Sequence, residues 1–329
     1  MVPEISILIP VYNVETYIAQ CVESLLANTL IDKCEIIFCN DCTPDNSMAI
    51  IDSILKQHPD ISCKIINHTE NRKIAISRQD LLETATGKYI LFVDSDDWVE
   101  PDYLEKLYTL AEQTQADVTT CNVIKEYVNK SVIVRHTLTE DRNRNISELL
   151  SLKTPGYLHC KLIRRSIITA DKLTFAPDLN ICEDTLFMLK YYFCSDKTAN
   201  TDIPLYHYRI IQKNLRLPEE KAAERIKSIH KIEEVLEEKE VSAQFKNEVA
   251  FRKINQLMKF FHLMPLKQCR KYYSVFSNMS SNLKGKGLKA RYYKVFAKSL
   301  EKSNIVMSDL CVFIAKVQNT LKRQKNRKH

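Results

Sequence analysis

Apolar runs alternate with helical patterns through the first part of the chain. The run at 5–11 is almost entirely apolar, and shorter runs of strand-forming residues follow at 35–39, 63–66, 89–93 and 118–123. Such runs are typical of strands that are covered on both faces. One helical face between the first two runs is formed by Tyr17, Ile18, Cys21, Val22, Leu25 and Leu26. Strands that alternate with helices predict an α/β fold with a mostly parallel, doubly wound sheet.

Polar side chains follow two of these runs directly. Asp41 lies in a turn-rich segment after the second run, and Asp94, Asp96 and Asp97 come after the fourth. Because parallel strands end at one edge of a sheet, where ligands bind, we expect Asp41 and Asp94 to share that edge. Three carboxylates within four positions repel one another, and a divalent cation held against a phosphate would compensate them. The alternative is a solvated acidic turn with Asp97 as the N-cap of a helix.

The charge distribution divides the chain. Residues 251–329 contain 19 Lys and Arg against two acidic residues, a net charge of +17, whereas the whole chain carries +7. Residues 1–250 therefore carry a net charge of −10. Because the pattern also becomes purely helical near residue 215, we predict a catalytic domain over 1–215 and a basic helical region over 216–329.

The basic region suggests where the protein works. Basic amphipathic helices with interleaved tyrosine and phenylalanine suit an anionic membrane surface, although a solvated helical cap with a tail is the alternative. No nucleic-acid motif or signal peptide is evident, so we expect neither. The apolar run at 310–315 is far shorter than the roughly 20 residues of a membrane span. Eleven cysteines, of which only Cys39 and Cys42 have zinc-like spacing and lack a second Cys or His pair nearby, are typical of a reducing compartment. We therefore expect a cytoplasmic protein, peripheral on the inner face of the plasma membrane.

An ordered series of motifs narrows the function. The chain has only four glycines and no glycine-rich phosphate loop, but it reads IPVYN at 9–13, NDxxxDNS at 40–47 and ATGKYILFVDSDDW at 85–98. This series resembles the family 2 glycosyltransferases over about two-thirds of the chain. The resemblance implies the nucleotide-diphospho-sugar transferase fold called GT-A, and transfer of a sugar with inversion at its anomeric centre.

The resemblance also implies a donor site, which we expect to take a UDP-sugar. Asp41 would accept the N–H of uracil, Asp94 would face the ribose and the metal, and Asp96 would bind Mn²⁺ or Mg²⁺ directly. The other residues that it places at the nucleotide are Pro10, Val11, Tyr12, Asn71, Arg78, Ser95 and Arg209. The alternatives are a turn-capping role for Asp41 and ordinary packing for Tyr12.

Two later segments match further parts of the family pattern. ICEDTLF at 181–187 resembles the Glu-Asp motif whose aspartate removes the acceptor proton, so we assign the base to Asp184, with Glu183 supporting it or contacting the acceptor. Adjacent carboxylates raise the pKa of one of them, which favours a base near neutral pH. In PLYHYR at 204–209, Arg209 would pair with phosphate oxygens and His207 would complete the metal shell. The alternative for Glu183 and Asp184 is an exposed acidic turn. The alternatives for Arg209 and His207 are a surface ion pair and a core histidine.

The chain departs from the family pattern near the donor, where it reads NDCT at 40–43 for the usual DDGS, Lys73 for a glycine and Gln79 for an asparagine. Cys42 and Lys73 stand where the family usually has glycine. Because glycine tolerates positive φ angles at low cost, we expect the donor loops to be reshaped around these positions.

Together, the motifs predict a glycosyltransferase of the hexosyl or N-acetylhexosaminyl type. It would move a sugar from a UDP-sugar to a hydroxyl of a glycan or of a polyprenyl-linked oligosaccharide. A soluble transferase acting on a protein or a wall polymer is one alternative. A catalytically silent nucleotide-sugar-binding scaffold at the membrane is the other, and the oligomeric state stays open.

Overall fold

The computed structural model describes most of the chain. The described residues are 2–211, 218–263, 268, 270–272, 288–302, 307–309 and 311. The predicted domain boundary at residue 215 and most of the apolar run at 310–315 lie outside them.

The first four strands form the parallel arrangement that the sequence predicts. They are β1 (Ile5–Val11), β2 (Cys34–Asn40), β3 (Ser62–Asn67) and β4 (Tyr89–Phe92). They lie in the order β3-β2-β1-β4, and each neighbouring pair is parallel. All residues of β1 are buried, as expected for a central strand. The helices along this part of the chain are α1 (Ile18–Leu26), α2 (Ser47–Leu55), α3 (Ile74–Thr84) and α4 (Tyr103–Thr114).

The rest of the sheet is mixed. It contains β5 (Trp98–Val99), β6 (Val118–Tyr127), β7 (Lys130–Val134), β8 (Lys161–Arg164) and β9 (Thr198–Arg209). The order continues from β4 as β8-β6-β9-β5, and β7 pairs with β6. Strand β8 is antiparallel to β4 and β6, whereas β9 is parallel to β6. The α/β fold is therefore confirmed, but the parallel arrangement is limited to the first four strands and the β6–β9 pair.

Further α-helices lie in this second part and in the C-terminal region, and short 3-10 helices span Ile31–Lys33 and Arg270–Tyr272. Those before β9 are α5 (Arg142–Leu150), α6 (Arg165–Ala170) and α7 (Glu183–Cys194). Those of the C-terminal region are α8 (Glu219–Glu238), α9 (Ser242–Leu263) and α10 (Leu288–Glu301).

The chain divides into two compact units. One consists of residues 1–149 and 154–212, and the other of residues 150–153 and 213–329. The second unit has its own apolar interior, in which α8 buries Ile226, Ile229, Ile232 and Leu236. Among the described helices, none combines the length and the hydropathy that crossing a bilayer requires.

Candidate active site

The carboxyl ends of β1, β2 and β4 bring the first predicted site residues to one edge of the sheet. Pro10 and Val11 end β1, and half-exposed Tyr12 follows them. The N–H of Asp41, just after β2, donates to the Val11 carbonyl at 3.1 Å. Asp94 follows β4, which is parallel to β1. The topology thus places Asp41 and Asp94 on the same edge, as the sequence predicts.

Asp41 is tied into the loop that precedes α3. Its carboxylate is nearly buried and accepts the backbone N–H groups of Arg72 at 2.7 Å and Lys73 at 2.9 Å. The imidazole Nδ1 of His68 lies 2.8 Å from the same carboxylate, and Asn71 accepts the Lys73 N–H at 3.2 Å. Since each carboxylate oxygen has two acceptor positions, this carboxylate is oriented by the loop and keeps capacity for a further donor.

The two positions without the family's glycine keep positive φ angles. Cys42 has a φ of 55°, and Lys73 has a φ of 73° with a ψ of 164°. We expected the positive φ angles to be lost together with the glycines, but both positions retain them. For Lys73, this region of φ and ψ is almost restricted to glycine, so the donor loop stores strain of order 1–3 kcal/mol there.

Asp94 lies between two cationic or hydrogen-bonding side chains. Its Oδ1 accepts from Nη2 of Arg78 at 2.8 Å, and its Oδ2 lies 3.0 Å from Nδ1 of His159. Burial alone would raise the pKa of Asp94, but Arg78 and His159 hold it below the usual range. The carboxylate is therefore kept ionised and fixed in orientation.

Asp97 does not cap a helix, because β5 follows it directly. Its carboxyl group is fully buried and accepts the Arg209 N–H and the Tyr206 hydroxyl, each at 2.8 Å. Burial, followed by the charges of Asp94 and Asp96, raises the pKa of Asp97 to about 9. Burial and the neighbouring carboxylates therefore disfavour the ionised form of Asp97, and a bound cation would favour it.

Three side chains are arranged so that they could share a metal ion. Asp94, Asp97 and His159 each offer one ligand atom, and these atoms lie within 4.8 Å of one another. Within the described residues, Nε2 of His159 is buried and has no hydrogen-bond partner, which leaves one nitrogen of the ring available. Carboxylate and imidazole ligands fit Mn²⁺, and the carboxylates fit Mg²⁺.

The predicted metal ligands Asp96 and His207 lie outside that group. Half-buried Asp96 uses its carbonyl oxygen to accept Nε of Arg209 at 2.8 Å. His207 stacks on Trp98, and its two ring nitrogens each lie 2.8 Å from a carboxylate, one of Glu100 and one of Glu126. His207 on β9 therefore bridges Glu126 on β6 and Glu100, which directly follows β5.

Arg78 joins the acidic cluster to the start of α7. Its Nη1 lies 2.5 Å from Oε1 of Glu183 while its Nη2 holds Asp94. Burial lowers the pKa of Arg78, but Glu183, Asp94 and Asp184 outweigh that effect and raise it. Burial and the Asp184 charge raise the pKa of Glu183 to about 7, despite the opposing effect of Arg78. Half-buried Asp184, the next residue, accepts the N–H of Thr185.

Arg209 is held next to the acidic cluster by two aromatic rings. Its guanidinium carbon lies 4.8 Å from the ring centre of Tyr17 and 4.4 Å from that of Trp98. It also donates to Gln20 at 2.6 Å. Such cation–π contacts fix a cation close to the end of β4 without neutralising it. Ser95, which is buried, lies in the turn between β4 and β5.

His159 is the site residue that the sequence reasoning missed. Its ring is stacked between Tyr206 at 4.5 Å and Tyr157 at 4.6 Å, and it is nearly buried. It lies 65 positions from Asp94, and no local periodicity connects the two. None of the motifs named above includes His159, which lies two positions before β8.

Comparisons with known proteins agree with this architecture. Residues 6–170, about half of the chain, match the family model described as Glycosyl transferase family 2. The "Putative glycosyltransferase EpsH" of Bacillus subtilis is 37% identical over 215 residues, which cover 63% of this chain and 61% of that protein. The chain thus matches about three-fifths of the length of this curated relative.

Two solved structures share the fold. The crystal structure of S. aureus TarS 1–349 in complex with UDP-GlcNAc has a TM-score of 0.65 and 17% identity, with 97% of this chain and 92% of that chain covered. A mannosyltransferase from Pyrobaculum calidifontis, in complex with GDP-Man and Mn²⁺, has a TM-score of 0.55 and 13% identity, with 97% and 88% covered. At these identities the likeness concerns the fold.

Proposed function

Since the chain belongs to glycosyltransferase family 2, we propose that it transfers a sugar from a UDP-sugar to an acceptor hydroxyl with inversion. The observation that carries the proposal is that one side chain contacts two motifs that are far apart in the sequence. Arg78 binds Asp94 of the donor motif and Glu183 of the base motif. A nucleotide sugar and an acceptor hydroxyl would therefore meet beside this guanidinium.

The donor part of the proposal rests on the edge formed by β1, β2 and β4. Asp41 is oriented for a ring N–H, while Tyr12 offers a half-exposed ring at the end of β1. The fold neighbour with bound UDP-GlcNAc supports a UDP-sugar for this edge. Pro10, Val11, Asn71 and Ser95 complete the proposed nucleotide site, and Arg209 is proposed to face the diphosphate.

A divalent ion fits the acidic cluster. Asp94, with Asp97 and His159, would hold Mn²⁺ or Mg²⁺, and Asp96 stays a proposed ligand from the sequence motif. The bound ion supplies charge neutralisation for the departing diphosphate. The fold neighbour that contains Mn²⁺ supports this proposal.

Asp184 is the proposed base. It takes the proton of the acceptor hydroxyl while that oxygen bonds to the anomeric carbon and the bond from this carbon to the diphosphate breaks. Attack on the face opposite the diphosphate inverts the configuration. Glu183, fixed by Arg78 at the first turn of α7, positions this acidic pair and the helix that carries it.

The acceptor is proposed to be a glycan or a polyprenyl-linked oligosaccharide at the inner face of the membrane. The net charge of +17 over residues 251–329 supports attraction to an anionic leaflet. A soluble transferase acting on a wall polymer or a protein is the alternative within the enzymes.

The test compares Asp184→Asn with Asp60→Asn, an exposed aspartate on the turn before β3. UDP-glucose, UDP-galactose and UDP-GlcNAc are titrated with Mn²⁺, and binding is followed by thermal shift and UDP release by a coupled assay. We expect one of these donors to bind the wild type, Asp184→Asn and Asp60→Asn alike. Asp184→Asn should lose at least about 100-fold in turnover, the typical contribution of a general base. Wild-type protein that binds a donor without any turnover would favour the scaffold alternative, and binding of none of the three donors would contradict the UDP-sugar assignment.

A further inference from the structure

A lysine faces two tyrosine rings next to the acidic cluster. Lys125 on β6 and Tyr208 on β9 are register partners in adjacent strands, and Tyr157 lies in the segment before β8. The Lys125 ammonium lies 5.6 Å from the ring centre of Tyr157 and 5.8 Å from that of Tyr208. The two rings are 5.5 Å apart and tilted by 49°. We call these three residues the lysine subsite.

The lysine subsite borders the residues proposed for catalysis. Tyr157 stacks on His159, which in turn binds Asp94, and Tyr208 lies 5.2 Å from the same imidazole. Gly156, which precedes Tyr157, packs so closely on Thr185, which follows Asp184, that a β-carbon at position 156 would lie 2.7 Å from the Thr185 Cα. A group bound at the subsite would therefore lie beside both the donor motif and the base.

Among the described residues, the positive charge of the lysine subsite has no counterion. Within the part of the chain that the structure describes, no carboxylate forms an ion pair with Lys125 or with Lys161. Lys161 is 1% exposed, and its ammonium donates to the Tyr157 carbonyl at 2.5 Å. Burial, together with Lys161, His159 and Lys125, lowers the pKa of nearby His136 to about 2.

This arrangement is costly unless an anion completes it. Desolvation opposes an ammonium that is removed from water without a partner, and burial lowers the pKa of half-buried Lys125. The Lys125 ammonium donates to the Tyr157 hydroxyl at 3.5 Å, and the cation–π contacts keep it in place while leaving two of its three donors for other oxygens. Phosphate oxygens are the anionic partners that a lysine binds as a point charge.

We propose that Lys125, Tyr157 and Tyr208 form an acceptor subsite that binds a phosphate group carried by the acceptor. Lys125 binds the phosphate oxygens, and the tyrosine rings contact the adjoining sugar or polyol. The inference rests on the proposed function, because the subsite selects among acceptors of the same transfer. The phosphate belongs either to a lipid-linked diphosphate or to a phosphodiester polymer.

Calorimetric titration of the full chain, saturated with UDP and Mn²⁺, tests the inference. The probes are ribitol 5-phosphate against ribitol for the polymer source, and farnesyl-diphosphate-linked N-acetylglucosamine against free N-acetylglucosamine for the lipid source. We expect at least one phosphorylated probe to bind tenfold or more tightly than its neutral counterpart. The pair with the larger difference identifies the source.

Three variants separate the subsite from general charge effects. Lys125→Met keeps the length of the side chain and should abolish the phosphate preference, whereas Lys125→Arg should retain it. Lys130→Met is the matched control, because Lys130 faces the Tyr127 ring at 5.7 Å on the exposed end of the same hairpin. This control should retain the full preference.

Each outcome decides between the two proposals. Wild-type protein that binds UDP but shows no phosphate preference overturns the subsite and leaves the proposed function intact. An equal loss in Lys125→Met and Lys130→Met, or a preference that persists in Lys125→Met, also overturns the subsite. Wild-type protein that fails to bind UDP contradicts the proposed function instead.

Discussion

Arg78 and Glu183 form a buried ion pair across 105 positions of sequence, with 2.5 Å between Nη1 and Oε1. Both side chains are only 8% exposed. The other guanidinium nitrogen holds Asp94, so one arginine fixes the donor motif at the end of β4 and the first turn of α7. Rupture of this contact is expected to affect stability and chemistry together.

Arg78→Met should lower the free energy of unfolding by about 3–5 kcal/mol, because it leaves Glu183 buried without its partner and leaves Asp94 with His159 alone. Urea unfolding followed by circular dichroism measures this change. Arg144→Met is the control, since its ion pair with Glu148 is at the surface and is expected to contribute at most about 1 kcal/mol. Similar losses in both variants would show that the buried pair contributes no more than a surface pair.

Asp97 should make stability fall as pH rises in the absence of divalent ions. Its pKa is raised from an ordinary 3.8 to about 9 in the folded state, so the folded protein binds the proton more tightly than the unfolded chain. The resulting stabilisation is complete below the unfolded pKa and is lost as pH rises through the folded pKa. Asp97→Asn removes this dependence.

Measurement of the free energy of unfolding between pH 5 and pH 8, with EDTA present, tests the role of Asp97. The wild-type slope should be more negative than that of Asp97→Asn by up to about 1.4 kcal/mol per pH unit, the value for one proton. Parallel slopes would mean that the carboxyl group titrates normally.

His159 and His207 should differ in their effect on metal binding. His159 belongs to the group that could hold an ion, whereas both nitrogens of His207 contact carboxylates. We expect His159→Gln to weaken Mn²⁺ binding at least tenfold and His207→Gln to change it by less than threefold, as measured by electron paramagnetic resonance of free Mn²⁺. The reverse order would favour the ligand that the sequence suggested.

Lys73→Gly should stabilise the protein by about 1 kcal/mol. The φ of 73° with ψ of 164° costs a lysine of order 1–3 kcal/mol, which exceeds the entropy that glycine adds to the unfolded chain. Glu23→Gly, at an exposed position inside α1, is the control and should destabilise by about 1 kcal/mol. The prediction fails if both changes lower the urea midpoint.

Local patterns were sufficient for the first four strands and for one edge of the site. Apolar runs predicted β1, β2, β3 and β4, and the helices between them predicted parallel pairing. Strand β3 is nevertheless a largely exposed edge strand and is not covered on both faces as its apolar run suggested. Asp41 and Asp94 follow two of these strands directly, so their shared edge required no knowledge of distant contacts.

The sequence by itself determined the family, the α/β order of the first half and the set of acidic motifs. Only the tertiary structure decided that β8 and β9 enter the sheet beside β4 and β6, because strand pairing between distant segments leaves no local periodicity. That pairing brings His159 to Asp94, buries Asp97 under Tyr206, and places Tyr208 opposite Lys125. Burial and neighbouring charge, which arise only on folding, then raise the pKa of Asp97 and of Glu183.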